Sequence, residues 1–257
     1  MMGMGVFGQG FVGKLAFPSA NVSNRLEKTF TSVNFNMMIM IIYALITIAI
    51  FGMWYYARYE GNFLPSPKKT FNPMMIVAIV ILVPGTQFAA NFIANLTGYI
   101  RPDWLQQYNE LFETSGITDT TFVTVLYSVI LAPICEELIF RGVTMRCARK
   151  ALPFALANLM QAALFGLFHL NWIQGIYAFA LGIVLGYVCE RGGSIYYSMG
   201  LHLLFNLWGT LSGFFPDPGN SVVVFVVVIV VTIVSLVAGF VLFNKGRRKL
   251  PINSTGI

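Results

Sequence analysis

The sequence predicts an all-α polytopic membrane protein, and three observations carry that prediction. Of 257 residues, 57% are apolar and only 10% charged, where soluble domains carry roughly 25% charged residues. Mean hydropathy is +0.73, too apolar for a water-facing surface or a disordered chain. Seven stretches approach or exceed the ~20 apolar residues that a helix needs to cross a bilayer, and no segment between them is long enough for a separate extramembrane domain.

The first 35 residues read as an N-terminal arm. Met4, Phe7, Phe11 and Leu15 fall on one helical face, but the five glycines among residues 1–20 weaken any helix there. The arm is expected to be interfacial or loosely ordered, and it would add an eighth span if it inserted. It has no basic start, continuous apolar run or cleavage site, so no signal peptide is assigned. Residues 36–257 form a single membrane-embedded domain.

Its spans follow in order. The first covers about 36–57 and closes on an interfacial Trp54-Tyr55-Tyr56 belt. The second, 73–99, holds Pro84-Gly85 as an expected kink. The third helix, 119–150, is far longer than one span and carries Pro133 inside it. Spans four to seven cover 152–171, 172–190, 193–214 and 221–244. The last is a Val/Ile run whose only polar side chains between its end residues are Thr232 and Ser235, which reads as a lipid-facing helix.

Lys and Arg set the orientation, because they collect on the cytoplasmic side. The tail with Lys245, Arg247, Arg248 and Lys249 is placed inside, and with it the turns at Arg146, Arg149, Lys150 and at Arg191. The 58–72 loop, with Arg58, Lys68 and Lys69, is inside too. The 100–119 loop then lies outside, where Asp103, Glu110, Glu113 and Asp119 outnumber Arg101. The N-terminus falls outside despite Lys14, Arg25 and Lys28. The protein is read as a multi-pass cell-membrane protein, and the net charge of +6 is no sign of nucleic-acid binding. Cys135, Cys147 and Cys189 are too widely spaced for a zinc knuckle or disulfide framework and read as free thiols.

Ionisable groups inside a bilayer cost ~2.5–3.5 kcal/mol each at mid-span, so they are functional suspects. Here they cluster. The long third helix contains Glu136, Glu137 and Arg141, and the only two histidines are His169 and His202. If the third and fourth helices form a hairpin turning near 151, Glu136 and His169 differ in depth by only about 5 Å. Glu137 and Arg141 are four apart in the favourable order for an ion pair. His202 and Asn206 share one face, and Pro133 leaves a backbone carbonyl free beside the acidic pair. A polar stripe of Gln87, Asn91 and Asn95 either lines the same cavity or bonds between helices.

Glu136-Glu137-x-x-x-Arg141, Phe165-x-x-x-His169 and His202-x-x-x-Asn206, in this order on successive helices, resemble the three motifs of the CPBP family of CAAX- and bacteriocin-processing intramembrane endopeptidases, also called Abi proteins. The resemblance covers about 119–214 and implies hydrolysis of a peptide bond in a peptide or protein substrate reaching the site from the membrane or the cytoplasm. Glu136, aided by His169, would activate a water. His202 and Asn206 would stabilise the oxyanion. Glu137 and Arg141 would hold the helix in register, with Phe165 in support. No cofactor is expected. The alternative within the class is a zinc enzyme with Glu136, His169 and His202 as ligands. Outside it stand a proton-coupled transporter, which would show an inverted repeat, and a non-catalytic immunity or scaffold protein.

Overall fold

The computed structural model describes residues 33–59, 72–115, 121–212 and 221–247. The arm over 1–32 and the cations Lys68, Lys69, Arg248 and Lys249 lie outside the described residues. Among the described residues every regular element is a helix. They are α1 (Val33–Tyr59), α2 (Pro73–Ile100), α3 (Pro102–Ser115), α4 (Phe122–Ala148), α5 (Phe154–Phe168), α6 (Trp172–Gly192), α7 (Ile195–Ser212) and α8 (Val222–Arg247).

Five of these, α1, α2, α4, α6 and α8, are long and apolar enough to cross a membrane. The other two expected spans are shorter or more polar. Helix α5 has 15 residues, about 22 Å of rise against a ~30 Å hydrocarbon core. Helix α7 has 18 residues and carries His202 and Asn206 on its inner side.

Helix boundaries follow local chemistry. Asn72 caps α2 by accepting from the Met74 N–H at 2.9 Å, with Pro73 in the first turn, where its missing N–H costs nothing. The same asparagine knits three helices together. Its N–H donates to the Tyr197 hydroxyl at 2.9 Å and its side-chain amide to the Gly246 carbonyl at 3.0 Å. Helix α6 starts at Asn171, which accepts from the Gln174 N–H, and stops at Gly193, whose φ of 66° is the left-handed cap that favours glycine. The main core lies between α2, α6, α7 and α8, where Met75, Leu82, Leu185, Leu201 and Phe243 are fully buried.

At Pro84-Gly85, where a kink was expected, α2 runs on as one helix. The Gly85 N–H donates to the Ser235 hydroxyl at 2.9 Å, and that hydroxyl donates on to the Ile81 carbonyl. A serine of α8 thus bonds to two backbone groups in one turn of α2. Ser235 is buried, although most of α8 is exposed to the surroundings of the bundle.

One expectation is corrected. The stretch 100–119, read as a loop, holds helix α3. Trp104, Tyr108 and Leu111 fall on one face of a charged segment, the pattern of a surface helix. Trp104 stacks on Trp172 with centroids 5.3 Å apart, and Tyr108 bonds to Tyr177. The Asp103 carboxyl is held below the usual carboxylate range by its hydrogen bond to Arg101, while burial pushes the Tyr108 hydroxyl up.

Candidate active site

Helix α4 is not wound uniformly. Residues Leu126–Leu131 and Leu138–Met145 are π-helical, on either side of an α-helical turn Ala132–Glu137 that holds Pro133 and both glutamates. π-turns inside α-helices occur mostly at functional sites. Glu137 and Arg141 are completely buried and pair at 2.9 Å. Arg141 also donates to the Gly182 carbonyl at 3.3 Å, and Gln161 to the same carbonyl at 2.9 Å. A Cβ on residue 182 would sit 3.1–3.2 Å from Ala162 and Phe165, so glycine lets α6 bring its backbone this close.

His202 lies between the two carboxylates. Its Nδ1 is 3.0 Å from Oε1 of Glu137 and its Nε2 is 3.6 Å from Oε2 of Glu136. The Glu136 side chain keeps 16% of its surface accessible, against none for Glu137. It opens on a narrow crevice walled by Tyr43 of α1, Tyr127 of α4 and Phe168 of α5, and Tyr43 and Phe168 are themselves exposed on the outside of the bundle.

The ring of Phe165 joins the three motifs. Arg141 lies 4.5 Å above it, and the imidazoles of His169 and His202 meet it edge-on at 4.9 and 5.7 Å. His169 caps the end of α5, and its Nδ1 is 2.8 Å from the Phe165 carbonyl. A carbonyl only accepts, so Nδ1 carries the proton and, in the neutral ring, Nε2 keeps its lone pair. Leu170, which follows, has a φ of 53°, a conformation that costs a branched residue ~1–2 kcal/mol.

Asn206 donates from its side-chain amide to the backbone carbonyl of Ser128 at 2.8 Å. All four residues expected to react, Glu136, His169, His202 and Asn206, are therefore on the α4–α5–α7 side of the bundle. The imidazole facing Glu136 is that of His202, whereas His169 was the one expected from depth. Ser128 and Gln161 were not singled out by sequence reasoning. Gln161 had a signal: it stands one turn before Phe165 in a helix whose only other polar side chain is Asn158.

Other residues lie apart. Gln87, Asn91 and Asn95 bond to one another along α2, at 3.3 and 2.8 Å, and Asn91 and Asn95 are exposed. The three cysteines are free. Among the described residues no group of three or more His, Cys, Asp or Glu side chains is placed to hold a metal ion.

Comparison with known proteins adds one assignment. Residues 118–208, the segment that contains all three motifs, match the family model of type II CAAX prenyl endopeptidase, Rce1-like. No curated protein and no solved structure matches the chain.

Proposed function

We propose that this chain, whose residues 118–208 form an Rce1-like type II CAAX prenyl endopeptidase domain in a multi-pass helical membrane protein, hydrolyses peptide bonds with Glu136 as general base. The observation that carries the choice is the contrast between adjacent carboxylates. Glu137 is sealed against Arg141 and His202, whereas Glu136 keeps an accessible edge and faces Nε2 of His202 at 3.6 Å.

In this reading Glu136 takes a proton from a water, with His169 assisting through the Nε2 lone pair. The resulting hydroxide adds to the substrate carbonyl carbon. When the C–N bond breaks, Glu136 returns the proton to the leaving amine, so a carboxylate and an amine are released and no covalent enzyme intermediate forms. Glu137 orients His202 through Nδ1, much as the acid of a catalytic triad orients its histidine. Nε2 of His202, when protonated, and the second amide hydrogen of Asn206 are the donors for the oxyanion.

The substrate is a peptide or protein that reaches Glu136 from the membrane or the cytoplasm, with no nucleic acid and no cofactor required. The basic end of the bundle, with Arg149, Lys150, Arg191 and Lys245, faces the cytoplasm.

Glu136→Gln tests the reading. It keeps size and polarity but removes the base, so turnover falls at least ~10²-fold while the protein still inserts. Peptide termini newly formed in membranes bearing the intact protein, and missing with Glu136→Gln, identify the substrates. Near-normal cleavage by Glu136→Gln would end the proposal. In purified enzyme, activity should survive stringent chelation. Loss on chelation with recovery on adding zinc would move Glu136, His169 and His202 to the role of ligands.

A further inference from the structure

We infer that Asn206 stands in for the backbone N–H that Pro133 lacks, and that by doing so it holds α4 in the winding that aims Glu136 at His202. This makes Asn206 a positioning residue, and the inference rests on the reading of Glu136 as the base.

The carbonyl of Ser128 has two possible helical partners. In an α-helix it would receive the N–H of residue 132, and in a π-turn that of residue 133. Both are lost. The Ala132 N–H donates five residues back, to the Tyr127 carbonyl, and residue 133 is a proline with no N–H to give. Ser128 is half-buried, in a span with little water to solvate an orphan carbonyl. The Asn206 amide takes that place at 2.8 Å, from 78 residues further along the chain.

The two ends of the resulting link explain why it bears on the reaction. Pro133 precedes Glu136 by three residues, less than one turn. Asn206 follows His202 by four, so both project from one face of α7. Helix α7 therefore holds α4 at two points on either side of Pro133: His202 against Glu136 and Glu137, and Asn206 against Ser128. If the upper point is released, the π-turn before Pro133 can rewind and rotate Glu136 away from the imidazole. An asparagine used only as an oxyanion donor would have no need of Ser128.

A mutant cycle decides between these roles, because Pro133→Ala restores the missing N–H inside α4. Asn206→Ala should lower formation of the Glu136-dependent peptide termini at least ~10-fold, and Pro133→Ala alone should change it less than ~3-fold. The double mutant should stand at least ~3-fold above Asn206→Ala, because the positioning share of the loss is restored, and the loss that remains is that of the oxyanion hydrogen. A double mutant as poor as the product of the two single losses would overturn the inference and leave Asn206 as an oxyanion donor alone.

Amide hydrogen exchange over residues 126–137 gives a readout that needs no substrate. It should accelerate in Asn206→Ala and recover in the double mutant; exchange that Asn206→Ala leaves unchanged would likewise overturn the inference. If Glu136→Gln proves active, the reading of Glu136 as the base fails by itself and the exchange measurement still decides this one. Asn206→Asp, nearly isosteric and without the amide donor, replaces Asn206→Ala if the alanine variant does not accumulate.

Discussion

Helices α2 and α4 are both long, apolar and carry an internal proline, and in both a polar side chain from another helix bonds to the backbone beside it. In α2 this is Ser235, which accepts from the Gly85 N–H and donates to the Ile81 carbonyl. In α4 it is Asn206, a single donor to a single carbonyl. The chemistry differs: Ser235 bridges a donor and an acceptor that α2 itself supplies, whereas Asn206 replaces a donor that Pro133 lacks. The donor helix differs too, since α7 also carries His202, which meets both carboxylates. A backbone repair in a membrane protein is thus purely structural or coupled to reactive groups according to which helix supplies it.

The largest expected effect is on the α4 side. Arg141→Ala leaves Glu137 with only His202 as a partner, at a fully buried position, at a cost of up to about 3–5 kcal/mol. Yield and thermal stability in detergent should fall together, and activity should follow the amount of folded protein. An Arg141→Ala protein that is stable but inactive would give Arg141 a part in the reaction itself and redraw the comparison. Next is Ser235→Ala, which leaves the Gly85 N–H and the Ile81 carbonyl unbridged, for about 1–3 kcal/mol. Melting temperature should drop while turnover per folded molecule stays unchanged. Lower turnover at unchanged stability would break the comparison, since the α2 repair would then be coupled to the site as well.

Smaller effects sharpen it. Leu170→Gly removes a left-handed conformation costing ~1–2 kcal/mol for leucine but adds chain entropy worth ~0.5–1 kcal/mol. Stability should therefore rise by no more than about 1.5 kcal/mol, as read by thermal unfolding. Asn95→Ala, on the exposed part of the α2 stripe, should change stability by less than about 0.5 kcal/mol and turnover not at all.

Much of this was legible in the sequence. The membrane class came from composition, five of the seven expected spans from apolar runs, and the meeting of Glu136 with a histidine from the scarcity of polar groups elsewhere. The Glu137–Arg141 pair followed from a spacing of four, even though their shared segment contains a π-turn.

Which histidine meets Glu136 was not legible, because counting residues from a turn measures height along a bundle and says nothing about rotation around each helix. The π-turns flanking Glu136 alter that rotation, and nothing in Leu126–Leu131 or Leu138–Met145 advertises them. Pro133 announced a free carbonyl, yet the identity of that carbonyl depended on the winding just before it. Helix α3 was missed because its apolar stripe is only three residues deep and its charges matched an outside loop.

The serine bridge in α2 also has a consequence for how the protein is made. Ser235 lies 150 residues beyond Gly85, so α2 is without this partner while α4 to α7 are synthesised. The groups around Glu136 come together from segments that are complete before α8 exists. The Ser235 contact therefore waits for α8, and the arrival of an almost wholly apolar helix does more than add membrane-facing surface: it fastens a helix synthesised long before.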